Sequence, residues 1–124
     1  MSIGINFHSS IKNMESKIIF NVKLDGERIP EKITWSASDS GIEGVKPCNA
    51  TMMCIWDPKE NVTLRIDLWT KEMLIDDMKR FFYENFLSMA DTYLRATNDE
   101  ESAKDINKFA EAFGKKAGVV GKNN

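Results

Sequence analysis

The chain has 124 residues, with 17 basic and 19 acidic side chains, a formal net charge of -2 and 42% hydrophobic residues. This size and composition are typical of one soluble globular domain, and the chain lacks the basic surplus of a nucleic-acid-binding protein. No stretch approaches 18 consecutive apolar residues, and the N-terminus does not resemble a secretory signal. We therefore expect a cytoplasmic protein that neither spans a membrane nor binds nucleic acid.

The patterned part of the chain lies between two segments of a different character. Residues 1–14 have no sustained hydrophobic period and are predicted to form a flexible extension. Residues 15–117 are predicted to form a single α+β domain. The Gly- and Lys-containing residues 118–124 are predicted to be a disordered tail.

Two strands are predicted at the start of the domain. Apolar residues alternate with polar ones along the first strand, at Ile18, Phe20, Val22 and Leu24. Asp25-Gly26 then predicts a hairpin, because glycine tolerates positive φ. Pro30 then restricts pairing at the start of a second strand, in which the run from Lys32 to Ala37 resumes the alternation with Ile33 and Trp35 pointing inward.

Two more strands are predicted after a loop. Residues 38–47 contain two glycines and a terminal proline, which is typical of a loop. A third strand is expected over residues 49–56. Asp57-Pro58 favours a tight turn, because aspartate suits its first position and proline its second. The fourth strand is expected from Val62 to Trp69.

The hydrophobic period changes to that of a helix after Thr70. Apolar residues recur at spacings of three and four through to Ala96, over an arc broad enough for a second helix or subunit to pack on it. Capping-box spacing from Thr97 to Glu100 and from Asn98 to Glu101 predicts a second helix, with a narrow apolar seam from Ala103 to Ala117. The order ββββαα predicts a four-stranded antiparallel meander with two C-terminal helices on one face.

The chain offers little catalytic or metal-binding chemistry. Its one histidine, His8, lies in the predicted extension, so no nucleophilic triad and no zinc site can be assembled. Asp77, Glu84 and Asp91 line one helical stripe, but the arginines on the same stripe favour a solvated face over a metal site. In an extended strand Cys48 and Cys54 are too distant for a disulfide; a loop position of Cys48 relaxes this limit, but a reduced cytosolic compartment is the simpler interpretation. We expect no enzyme activity, metal or cofactor.

The aromatic residues admit two interpretations. Their spacing follows the periods of the strands and the long helix, which favours a role in the hydrophobic core. The alternative is a groove for a peptide, because tryptophan is frequent at binding hot spots. The residues concerned are Trp35, Trp56, Trp69, Phe81, Phe82, Tyr83 and Phe86.

Several segments together resemble the gliding motility-associated GldC family. They are ITWSASDSGI, WDPKE, TLRIDLWTKEM, DDMKRFF and MADTYLRATND, in this order, and the likeness runs from about Ser16 to Phe113. The family commonly has proline where this chain has Leu74, so the helix is expected to begin slightly earlier here. The resemblance implies a cytoplasmic accessory protein of the gliding and type IX secretion apparatus, with no assigned catalytic residues.

Two functions remain open from the sequence. The resemblance favours a non-enzymatic adaptor that binds a protein partner, possible candidates being gliding or secretion components. The alternative is a chaperone for unfolded or exported chains, since ββββαα is also the element order of the export chaperone SecB. The broad apolar arc of the long helix further suggests homo-oligomerisation.

Five residues within the matching segments are candidates for a protein-interaction surface. Arg65 and Asp67 point to the same side of the fourth strand as Trp69, because side chains two apart on a strand share a face. We interpret the charged pair as outward-facing electrostatics and a docking face rather than as a catalytic site. Asp91 and Arg95, four apart on the long helix, complete the set.

Overall fold

The computed structural model describes residues 15–121, which form a β unit of residues 15–73 and a helical unit of residues 74–121. The predicted N-terminal extension and the last three residues of the predicted tail lie outside the described range. The elements are β1 (Ile18–Leu24), β2 (Pro30–Ala37), β3 (Lys46–Cys48), β4 (Ala50–Asp57), β5 (Val62–Trp69), α1 (Ile75–Thr97) and α2 (Glu100–Lys116). The α+β class with two C-terminal helices is confirmed.

The first two strands form the predicted hairpin, but the residue in the left-handed conformation is Arg28, not Gly26. β1 pairs antiparallel with β2 from Ile18 opposite Ala37 onward. In the turn, the Asp25 carboxylate accepts hydrogen bonds from the backbone N–H groups of Glu27 and Ile29 at 2.8 and 3.0 Å. Arg28 has a φ of 65°. The aspartate side chain therefore organises this turn, where the sequence pointed to glycine.

The predicted third strand corresponds to β4, but an additional short strand, β3, begins within residues 38–47, where a loop was predicted, so the four-stranded meander is wrong as predicted. Lys46–Cys48 pairs with β2, whereas Ala50–Asp57 pairs with β5. The described strands thus form a three-stranded sheet, β1-β2-β3, and a two-stranded ribbon, β4-β5, both antiparallel. The chain changes partner at Asn49, whose carbonyl accepts a hydrogen bond from the Thr70 N–H at 2.8 Å.

The buried part of the β unit is small. Ile33 is 1% exposed and Ala37 4%, and both lie on the same face of β2. Trp35, predicted to point inward with Ile33, is only half-buried. Among the residues described, Ile33 is the one large side chain that is fully buried. Truncating it would leave a cavity at the most buried large side chain described in this unit.

The long helix begins later than its hydrophobic pattern predicts. Leu74 is the N-cap residue with extended backbone, its side chain makes no capping hydrogen bond, and Ile75 is the first helical residue. Asp76 and Asp77 lie in the first turn, where negative charge is favourable beside the unpaired N–H groups. The segment before the helix forms a turn, in which the Met73 N–H donates to the Thr70 carbonyl.

The second helix is capped by a residue that the capping-box pattern did not select. Asn98 ends α1 in the left-handed conformation, and Asp99 is the N-cap of α2. The Asp99 carboxylate accepts hydrogen bonds from the Ser102 N–H at 3.1 Å and from the Tyr93 hydroxyl at 2.8 Å. The hydrogen bonds from Ser102 and then Tyr93 lower the pKa of Asp99.

Small residues and phenylalanines form the contact between the two helices. Ala90 of α1 and Ala103, Ala110 and Gly114 of α2 are buried. The ring of Phe86 lies edge-on to those of Phe109 and Phe113, with centroids 5.1 Å apart in each pair. The predicted seam of α2 is therefore largely confirmed, because its alanines let the helices approach while aromatic rings fill the space beside them.

Candidate functional site

The β4-β5 ribbon presents two faces of different chemistry. Opposing pairs alternate between the faces along the ribbon. The aliphatic face consists of Thr51, Met53, Ile55, Leu64, Ile66 and Leu68. The tryptophan face consists of Ala50, Met52, Cys54, Trp56, Thr63, Arg65, Asp67 and Trp69. Three of the five predicted interaction residues thus lie together on the tryptophan face.

Arg65 is the centre of the polar network on the tryptophan face. Its Nε and Nη2 donate to the two carboxylate oxygens of Asp67 at 3.2 and 2.9 Å. Its Nη1 donates to Sγ of Cys54, the residue opposite it on β4, at 2.8 Å. The paired geometry fixes the plane of the guanidinium group, because two parallel hydrogen bonds to one carboxylate leave it little freedom.

The network makes Arg65 a fixed cation with donor capacity to spare. The hydrogen bonds and charge of Asp67, and then the nearby Cys54, raise the pKa of Arg65. A guanidinium has five N–H donors, of which three are directed at these neighbours. The remaining donors can reach a carbonyl or carboxylate of another molecule, since the Arg65 side chain is 47% exposed.

Two tryptophans lie at opposite ends of this face. Trp56 is 61% exposed and Trp69 is 56% exposed. Trp56 pairs with Thr63, six residues before Trp69, so the two indoles are anchored about 20 Å apart along the ribbon. The prediction that the spacing of the aromatics places them in a core is therefore wrong for Trp56 and Trp69, whereas Phe86 does pack between the helices, against Phe109 and Phe113.

Two further residues of the tryptophan face, Trp56 and Cys54, were not among the predicted site residues. The sequence feature that could have identified these two residues is the turn from Asp57 to Asn61. In this turn Asp57 Oδ1 accepts a hydrogen bond from the Lys59 N–H at 2.9 Å. This turn closes the hairpin with Asp57 opposite Val62. Counting back from it puts Trp56 and Cys54 on the face of Arg65, because the register of a hairpin follows from its turn.

The two helical candidates form a simple exposed ion pair. Arg95 Nε donates to Asp91 Oδ2 at 3.1 Å across one helical turn, and both side chains are about 70% exposed. This is the solvated pairing that the sequence predicted for the stripe. Asp91 and Arg95 belong to the helical unit and the three strand residues to the β unit. Their shared role as an interaction surface stays a prediction.

The described part of the chain also contains an open groove in the β unit and two free cysteines. One open groove in the β unit is lined by charged residues and a proline, with Lys71 Nζ 3.6 Å from Asp25 Oδ2. It lacks the apolar walls of a typical ligand pocket. Across residues 15–121, no three histidine, cysteine or acidic side chains are grouped as metal ligands would be. Cys48 and Cys54 are both free thiols.

The fold and its most distinctive exposed feature define a small α+β protein with an aromatic and charged sheet face. The family model described as gliding motility-associated protein GldC-like matches residues 30–119, and the chain belongs to this family. The resemblance inferred from the sequence is thus confirmed. Neither a curated protein nor a solved structure matches the chain significantly. Within residues 15–121, every helix is too short or too polar to cross a bilayer.

Proposed function

We propose that this protein is a non-enzymatic, cytoplasmic accessory protein of the bacterial gliding motility and type IX secretion apparatus. In this role it binds a protein partner through the tryptophan face. Membership of the GldC-like family supports the association with gliding. The observation that carries the choice of surface is the pair of exposed indoles, Trp56 and Trp69, on either side of the Arg65–Asp67 pair.

The chemistry of this face suits protein recognition. Tryptophan and arginine are the residues most often found at binding hot spots, where they combine large contact area with a polar group. Arg65 is already oriented by Asp67 and Cys54, so little side-chain freedom is lost when a partner binds it. The complementary surface would offer two apolar pockets and a carbonyl or carboxylate oxygen between them.

Affinity purification of the intact protein from gliding cells tests the adaptor role. We expect a known gliding or secretion component to be enriched at least tenfold over a control without the protein. Recovery of no such component, at expression levels where the protein itself is soluble, would contradict the adaptor role.

A chaperone for unfolded or exported polypeptides is the second candidate, and the aliphatic face is the observation that favours it. Ile55, Leu64 and Ile66 are each about half exposed and adjacent on the ribbon, which offers a surface for apolar segments of an unfolded chain. A light-scattering assay with unfolded model proteins tests it. Unchanged aggregation at equimolar protein would exclude this candidate and leave the adaptor proposal unaffected.

A further inference from the structure

The outer edge of β4 is unpaired among the strands of residues 15–121. β4 is eight residues long and pairs on one side with β5, whereas its other side pairs with no strand in residues 15–121. Such an edge presents a row of backbone N–H and C=O groups that can pair with another strand. An isolated two-stranded ribbon is also only marginally stable in water.

β4 lacks the residues that usually prevent edge-to-edge pairing. Lysine, arginine and proline block association at sheet edges. Among the five described strands, β1 contains Lys23, β2 Pro30 and Lys32, β3 Lys46 and Pro47, and β5 Arg65. The sequence of β4, ATMMCIWD, has none of these, and its one charge is the terminal Asp57. Among the described strands, β4 is therefore the one whose sequence contains no residue that blocks pairing with a further strand.

We propose that the partner on this edge is the β4 strand of a second copy of the chain, paired antiparallel about a two-fold axis at Met53 or Cys54. The product is a continuous four-stranded sheet, β5-β4-β4′-β5′. This interface closes on itself, because each β4 edge is used once. It does not depend on the proposed gliding partner.

The charge pattern of β4 favours this antiparallel arrangement. With the axis at the centre of the strand, the two Asp57 carboxylates lie at opposite ends, about 20 Å or more apart. Parallel pairing in register would place them about 5 Å apart, where like charges repel. Open stacking into fibres is thereby disfavoured, and the closed pair is selected.

The same arrangement places the functional faces of both copies together. A two-fold axis perpendicular to the sheet keeps the tryptophan face of each copy on the same side. The aliphatic faces are likewise joined, with Ile55 of each copy close to the middle of the four-stranded sheet. A bivalent tryptophan face would bind a repeated or dimeric partner more strongly than a single one.

Disulfide cross-linking of the full chain tests the interface directly. In the first variant, Cys48→Ser leaves Cys54 as the single cysteine. In the other two variants both native cysteines are replaced by serine, and a single cysteine is introduced by Met53→Cys or by Thr51→Cys. We expect Cys54 or Met53→Cys to form a disulfide dimer at least tenfold faster than Thr51→Cys. The Thr51 positions of the two copies would lie about 14 Å or more apart, beyond disulfide reach.

Matched lysine substitutions then distinguish association through the β4 edge from association through the aliphatic face. Ile55 on β4 and Ile66 on β5 are 49% and 46% exposed on the same face. Sedimentation equilibrium is expected to show at least tenfold weaker self-association for Ile55→Lys and a change below twofold for Ile66→Lys. Equal effects of the two lysines, or equal cross-linking rates at residues 51, 53 and 54, would overturn the proposal.

A monomer at every concentration would also overturn it. If β4 amides of that monomer were protected from hydrogen exchange, the edge would be assigned to another segment of the same chain.

Discussion

Replacing Gly114 by alanine would have two opposing effects on the stability of the fold. It is buried in α2, and a Cβ built on it would lie 2.6 Å from Tyr83 Cε1 and 2.6 Å from Val120 Cγ2. Alanine is a better helix former than glycine by about 1 kcal/mol. Overpacking a tight contact costs about 1–3 kcal/mol, and at 2.6 Å the part-buried Tyr83 ring would have to shift.

We therefore expect Gly114→Ala to lower the free energy of unfolding by up to about 2 kcal/mol in urea denaturation, the overpacking cost less the gain in helix propensity. Asn107→Ala is the matched control, because Asn107 is exposed on the same helix and alanine there adds helix propensity without a clash. A Gly114→Ala variant as stable as the Asn107→Ala variant would show that the helices separate easily at this point.

Arg65 is a second residue whose role depends on its immediate neighbours. Its hydrogen bonds to Asp67 and Cys54 orient the guanidinium outward between the two tryptophans. The sequence supplied the pair with Asp67, because residues two apart on a strand share a face. The contact with Cys54 depends on the cross-strand register, which is set by the turn from Asp57 to Asn61 and not by the alternation within β5.

The start of α2 is the element whose stability depends most clearly on pH. The lowered pKa of Asp99 means that its carboxylate stabilises the folded state above its ordinary value of 3.8, and that this contribution is lost as pH falls through the lower folded value. Asp25 behaves in the same way, because hydrogen bonds from Ile29 and then Glu27 lower its pKa. Because a fall in pH affects both aspartates, the contribution of Asp99 to stability has to be measured by comparing wild type with an Asp99 variant.

We expect wild type to be more stable than Asp99→Ala at neutral pH, and the difference to shrink as pH falls below 3.8. Asp99→Asn is the control, because asparagine can cap the helix without titrating. Thermal unfolding followed by circular dichroism between pH 2.5 and 7 measures both differences. A difference between wild type and Asp99→Ala that is constant across this range would contradict the role of the charged cap.

At the scale of the elements, the periods of the sequence were sufficient for the four longer strands and the two helices, but not for β3 or for partner choice. Alternation identified the longer strands and three- and four-residue spacing identified the helices, whereas β3 is only three residues long and begins in the predicted loop. The change of partner at Asn49 has no periodic signature, because the same alternation continues from Cys48 to Ala50. Likewise, Asp99 caps α2 although Thr97 and Asn98 have the better capping-box spacing, since the cap depends on where α1 ends.

At the scale of the whole molecule, one hairpin, β4-β5, carries both faces proposed to bind other proteins. The family match supplies the association with gliding, and the exposed ribbon supplies a surface with two faces and an open edge. Exposure of Trp56 and Trp69 could not be inferred from the sequence, because an outward tryptophan and a core tryptophan have the same strand period.

Partner recovery by a chain with both tryptophans replaced tests the central claim most directly. Trp56→Ala and Trp69→Ala together are expected to reduce recovery of the gliding or secretion component at least tenfold, since each exposed indole is a hot-spot candidate. Phe109→Ala is the matched control, because Phe109 is an aromatic residue of α2 with the same 56% exposure as Trp69. Recovery equal to wild type with the double variant, while the protein stays folded, would contradict the assignment of the tryptophan face.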